Sequence, residues 1–104
     1  HSNFRIHNSN FNYAILRGLS FQESALTICS FREADFRECD FHNADLSGSD
    51  LSGADTYKAN FEGTNLCGAN LNGFMLGNTT GFRNMKISAE QQSHILLGLG
   101  IHVL

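Results

Sequence analysis

The chain repeats itself every five residues, and this period constrains its fold more than any other feature. Ala34-Asp35-Phe36-Arg37-Glu38 is followed by Cys39-Asp40-Phe41-His42-Asn43 and then by Ala44-Asp45-Leu46-Ser47-Gly48. The frame holds over residues 4–78, which makes 15 repeats. The third position is large and apolar in 14 of the 15, against about six expected by chance in a chain that is 41% apolar. The first position is Ala, Ser, Cys or Thr in 12, the second is Asp or Asn in nine, and Gly gathers at the fifth.

Neither regular period explains this spacing. A helix buries residues 3.6 apart and a strand buries every second one. Period five sends one large and one small residue inward and leaves three positions to face out or to turn the chain. Asp, Asn and Gly are turn formers, by side-chain hydrogen bonding and by tolerance of positive φ. A chain that turns every five residues closes a square after four turns, so one coil takes 20 residues. Residues 20 apart then lie above one another. Phe21, Phe41 and Phe61 share one column, and Phe11 and Phe31 share a second with Leu51 and Leu71. Phe36 lies in a third with Leu16, Thr56 and Leu76. Thr56 is the one polar third-position residue and reads as a tolerated defect. Cys29 and Cys39 fill first-position slots and read as packing residues.

The run of A-(D/N)-L-x-x units resembles the pentapeptide-repeat family. The resemblance implies an all-β fold, a right-handed quadrilateral β-helix, here of about 3.75 coils spanning roughly 18 Å at the strand spacing. The expected organisation is a β-helix over residues 1–81, with repeats at 4–78, and a C-terminal capping and dimerisation segment over 82–104. Ser88 with Gln91 three residues on forms a capping-box pattern, and a helix of about ten residues is expected from Ala89, stopping at Gly98 or Gly100. Gln92, Ile95, Leu96 and Leu99 would share one helix face, followed by an apolar tail of Ile101, Val103 and Leu104.

The tail carries a narrower resemblance. Lys86-Ile87-Ser88-Ala89-Glu90-Gln91 and Leu97-Gly98-Leu99-Gly100-Ile101-His102-Val103 are similar to the C-terminus of the quinolone-resistance (Qnr-type) pentapeptide proteins. Phe36 to Asp40 and Ala44 to Gly48 are similar to their F-x-x-C-D and A-D-L-S-G segments. That likeness implies a homodimer joined at the C-terminus, a rod that mimics B-DNA, and DNA gyrase or topoisomerase IV as partner, with fluoroquinolone protection as the biological outcome. Ile95, Leu96, Leu99, Ile101 and Val103 are the implied dimer contacts. Qnr-type proteins are about twice as long and some carry projecting loops, whereas the repeat here runs uninterrupted.

Charge bears on the mimicry. Residues 4–78 carry nine acids and five bases, a net of −4 over roughly 18 Å, where B-DNA would carry about ten charges. The density rises locally, since Asp40, Asp45, Asp50, Asp55 and Glu62 face only Lys58 in residues 40–70. Successive repeats turn onto successive faces, so these five form a belt around the rod, and this belt is the candidate partner-binding feature. Asp35, Arg37, Glu38, Asp55, Tyr57, Lys58 and Met75 share one face that Tyr57, Met75 and Ile15 make the least polar, a first candidate for protein contact.

Other classes find little support. The formal net charge of −3 speaks against direct nucleic-acid binding. No apolar run approaches the roughly 18 residues of a membrane span, and no signal-peptide pattern opens the chain. Three cysteines without a CxxC pair suit reduced thiols in the cytoplasm. The five histidines show no ligand spacing, no phosphate-binding loop is present, and a thin rod filled with Phe and Leu has no interior site. The sequence therefore reads as a non-enzymatic binding protein without cofactor or metal. The alternative is a generic protein-interaction or structural solenoid module, perhaps a fragment of a longer repeat protein.

Overall fold

The computed structural model describes residues 3–104. The chain winds as a rod of 43 × 24 × 24 Å. Only Arg5–His7 (β1) and Ala25–Thr27 (β2) pair as continuous strands, in parallel and 20 residues apart. Single parallel bridges continue the same register up the rod, from Asn10↔Ser30 to Asp50↔Asn70. The 20-residue offset is the square coil expected from the period.

The turn that makes each corner is the same throughout. All 14 fifth positions from Asn8 to Gly73 have φ between +52° and +79°. In most repeats the first-position N–H also donates to the third-position carbonyl before it, as Ala44 does to Phe41 at 2.9 Å. Positive φ at the third residue of a hydrogen-bonded four-residue turn is the type II signature, which is why Gly gathers there. Six of the 14 are nevertheless neither Gly nor Asn. Ile28 is the most strained, because its Cβ branches. Ile28→Gly is expected to raise stability by about 1 kcal/mol, the left-handed penalty outweighing the extra chain entropy of Gly. Thermal unfolding checks this, and an unchanged or lower midpoint would contradict it.

Third-position side chains fill the rod. The rings of Phe21, Phe41 and Phe61 stack with centroids 5.4 and 5.1 Å apart, and Phe11 lies on Phe31 at 5.2 Å. Phe36 meets Phe41 edge-on at 4.9 Å. First-position residues pack beside them, and the polar ones are satisfied one coil below. Ser49 Oγ donates to the Leu26 carbonyl and Thr64 Oγ1 to that of Phe41, both at 2.7 Å, while Cys39 Sγ donates to Leu16 at 3.0 Å. Thr56 follows suit across the coil, its hydroxyl donating to the Met75 carbonyl at 3.2 Å.

The β-helix outlasts the expected repeat. A short 3-10 turn at Leu76–Asn78 is followed by bridges Asn60↔Gly81 and Asn65↔Lys86, now 21 residues apart. One extra residue at the Thr79-Thr80 corner shifts the frame, and the turn at Phe82 repeats the motif with Asn84 at φ 61°. Pairing thus runs through the boundary expected at residue 81. Beyond it, a 3-10 turn at Ala89–Gln91 leads into an α-helix, Gln92–Gly98 (α1). It ends in a Schellman motif, with Gly100 N–H on Leu97 and Ile101 N–H on Leu96, and Gly100 at φ 82°.

Gln91 docks this element. Its Oε1 accepts the Ser88 N–H, and its Nε2 donates to the carbonyls of Leu66 and Ala69, all at 2.7 Å. Gly98 lets the helix lie flat on the coil, since a Cβ there would collide with the Phe74 carbonyl oxygen.

Candidate functional site

The second-position carboxylates are held by the chain itself. In Asp40, Asp45, Asp50 and Asp55, Oδ1 accepts the backbone N–H two residues on, at 2.9–3.1 Å. Asn60, Asn65 and Asn70 make the same bond, so the turn needs the oxygen and not the charge. The bridge columns put the four aspartates on four different faces. Asp40 lies under Asn60, Asp45 under Asn65, Asp50 under Asn70, and Asp55 above Asp35. Glu62 is close to Asp40, on the same face.

The faces are not electrically equal. On the face of Asp35 and Asp55, Arg37 grips Asp35 at 2.8 Å and reaches Asp55 at 3.8 Å, while Arg17 pairs with Glu38 at 3.2 Å. The Arg37 hydrogen bond holds the Asp35 carboxyl down to about 2, far below the usual carboxylate range. Lys58 lies over the Tyr57 ring. This side, with Ile15, Tyr57 and Met75 exposed, is neutralised. The face of Asp40 is the opposite case. Glu23, Asp40 and Glu62 share it with Gln22, His42, Asn43 and Asn60, and Arg83 at its upper end is the only Lys or Arg there. Gln22 Nε2 and Asn60 Nδ2 both donate to Asp40, at 2.5 and 3.2 Å, which orients its carboxylate without cancelling its charge.

The C-terminal end is apolar. Of the implied dimer contacts, Ile95 belongs to the chain's own core and Leu96 is half-buried. Leu99, Ile101 and Val103 are 40%, 50% and 65% exposed. Leu97, which the sequence pattern did not single out, is 54% exposed. Ser93, Leu97, Ile101, His102 and Val103 line a shallow depression of about 220 Å³.

Burial pushes the Cys39 thiol up to about 11, which keeps it protonated. Among the described residues, no group of His, Cys, Asp and Glu is placed to hold a metal ion, and no helix is long and apolar enough to cross a membrane.

The profile of the family described as pentapeptide repeats matches eight copies, within residues 2–43, 14–53 and 34–73. Among solved structures, a trypsin-treated variant of QnrB1, a plasmid-mediated fluoroquinolone resistance protein, superposes with a TM-score of 0.79 at 26% identity. The match covers 95% of this chain and 47% of that one, so the chain spans about half the length of QnrB1. A pentapeptide repeat protein of the Arabidopsis thaliana thylakoid lumen matches with a TM-score of 0.54 at 30% identity, over 78% of this chain and 60% of that one. A pentapeptide repeat protein from Nostoc PCC 7120, with a TM-score of 0.57, is 17% identical and shares the fold. No curated protein sequence matches.

Proposed function

As the chain belongs to the pentapeptide-repeat family, whose fold is a right-handed quadrilateral β-helix, we propose that it is a non-enzymatic binding protein that offers a type II topoisomerase an acidic surface in place of DNA. The observation that carries the reading is the likeness to QnrB1 over 95% of the chain. The uneven charge supports it. Residues 33–62 hold eight acids against Arg37 and Lys58, a net of −6 within about 1.5 coils, or roughly 7 Å, where B-DNA carries about four charges. Both bases lie on the neutralised side, which leaves the face of Glu23, Asp40 and Glu62 as the one to meet a basic DNA-binding groove. Two copies joined at their apolar C-terminal ends would double the length of the rod. In this reading the protein acts in the cytoplasm and needs no cofactor, and neither nucleic acid nor membrane is contacted directly.

The test is a supercoiling assay with DNA gyrase, with and without a fluoroquinolone, beside a Glu23→Gln/Asp40→Asn/Glu62→Gln variant. Asn at position 40 can keep the turn, as Asn60 does. Inhibition or drug relief at low micromolar protein is expected, with at least a tenfold higher requirement in the variant. No effect at tens of micromolar would overturn the reading. A second reading, an interaction module of a longer repeat protein, draws on the 47% coverage of QnrB1 and on the lumenal plant protein. Recovery of a different protein in a pull-down would favour it.

A further inference from the structure

The depression at the C-terminal end contains one ionisable side chain. His102 lines it with Ser93, Leu97, Ile101 and Val103, and the other four are uncharged. The helix packed against the tail adds only His94, and the turn that opens it adds Glu90. The tail, Ile101 to Leu104, is fully uncovered in the single chain, and His102 with it.

We propose that His102 makes the C-terminal pairing of two copies pH-dependent, so that a dimer formed at neutral pH opens on mild acidification. The inference rests on the dimer reading above, and size decides whether His102 is covered. An end about 24 by 24 Å offers at most about 600 Å² per copy, or about 1,200 Å² for both. That is the lower edge of what specific interfaces bury, about 1,200–2,000 Å². A pairing this small must use the whole end, including the depression that His102 lines. Covering an imidazole among Leu97, Ile101 and Val103 disfavours its charged form.

Histidine changes charge between pH 5 and 8. A proton held less tightly in the dimer than in the monomer makes pairing strongest at high pH, and pairing is lost as pH falls through the histidine range. An isologous contact buries the group twice, so the dissociation constant can rise by up to about a hundredfold per pH unit.

Sedimentation equilibrium of the full chain at pH 7.5 and pH 5.5 tests this, with His102→Gln and His94→Gln beside it. The wild type and His94→Gln are expected to lose at least tenfold in dimer affinity at pH 5.5, and His102→Gln less than threefold. Circular dichroism at both pH values separates dissociation from unfolding. A wild-type dimer of equal affinity at both pH values overturns the proposal while sparing the dimer. The same pH dependence in His102→Gln also overturns it. A wild type that is monomeric at 200 µM and both pH values overturns the dimer reading, and the proposal with it.

Discussion

Phe41→Ala is expected to lower the free energy of unfolding by about 3–5 kcal/mol, the cost of a large truncation in a rigid core. Phe41 is fully buried, sandwiched between Phe21 and Phe61 and met edge-on by Phe36. Relaxation into the vacated space is blocked. The backbone on either side of Phe41 is pinned to the neighbouring coils, by Phe41 N–H on Asn60 and by Glu23 N–H on His42. Domains of this size have about 5–15 kcal/mol in all, so one ring is a large share. Phe11→Ala should cost less, because Phe11 is only half-buried. Phe41→Leu should cost under about 1.5 kcal/mol, since Leu already fills other columns. Urea unfolding followed by circular dichroism measures all three, and a loss below 1 kcal/mol in Phe41→Ala would mean that the column is not the core.

Gln91→Glu is the second large effect, expected at about 2–3 kcal/mol and confined to the C-terminal element. The change keeps the shape and removes the amide donor. The carbonyls of Leu66 and Ala69 then face a carboxylate oxygen instead of an N–H in a site where Gln91 is 3% exposed. Leaving buried acceptors unpaired costs about 1–3 kcal/mol each, and burying an uncompensated charge adds to that. The helix Gln92–Gly98 is too short to persist alone. Hydrogen exchange at Ile95 to Leu99 should therefore quicken at least thirtyfold, while the Phe31 and Phe41 amides stay protected. Equal loss of protection in both places would show that the helix and the coils unfold as one.

What the sequence made legible follows from how local the cause is. The turn chemistry repeats within five residues, so the coil length, the third-position columns and the corner at every fifth residue could all be read directly. The extra residue at Thr79-Thr80 could not, because it sits in a corner where no inward position is lost and the pattern only appears to stop. Gln91 was legible as a capping residue, since its bond to Ser88 is three residues away. Its bonds to Leu66 and Ala69 span 25 and 22 residues and depend on where the helix docks. The burial of Ile95 and the exposure of Leu97 have the same origin, because docking fixed by Gln91 and Gly98 selects which helix face turns inward. The charge asymmetry between the faces lay in the sequence, but only once residues were sorted by column did Arg17, Arg37 and Lys58 fall together.

Almost every hydrogen bond between coils joins residues about 18 to 25 apart, and nothing ties the first coil directly to the last. The search problem in folding is therefore a single loop closure of about 20 residues, repeated, with an entropy cost that does not grow as the rod lengthens. The first closure is the slow one, since it has no finished edge to build on. Each later stretch meets a surface whose carbonyls and rings are already in register. A chain leaving the ribosome is fed in that order, so synthesis itself supplies the template one coil before it is needed.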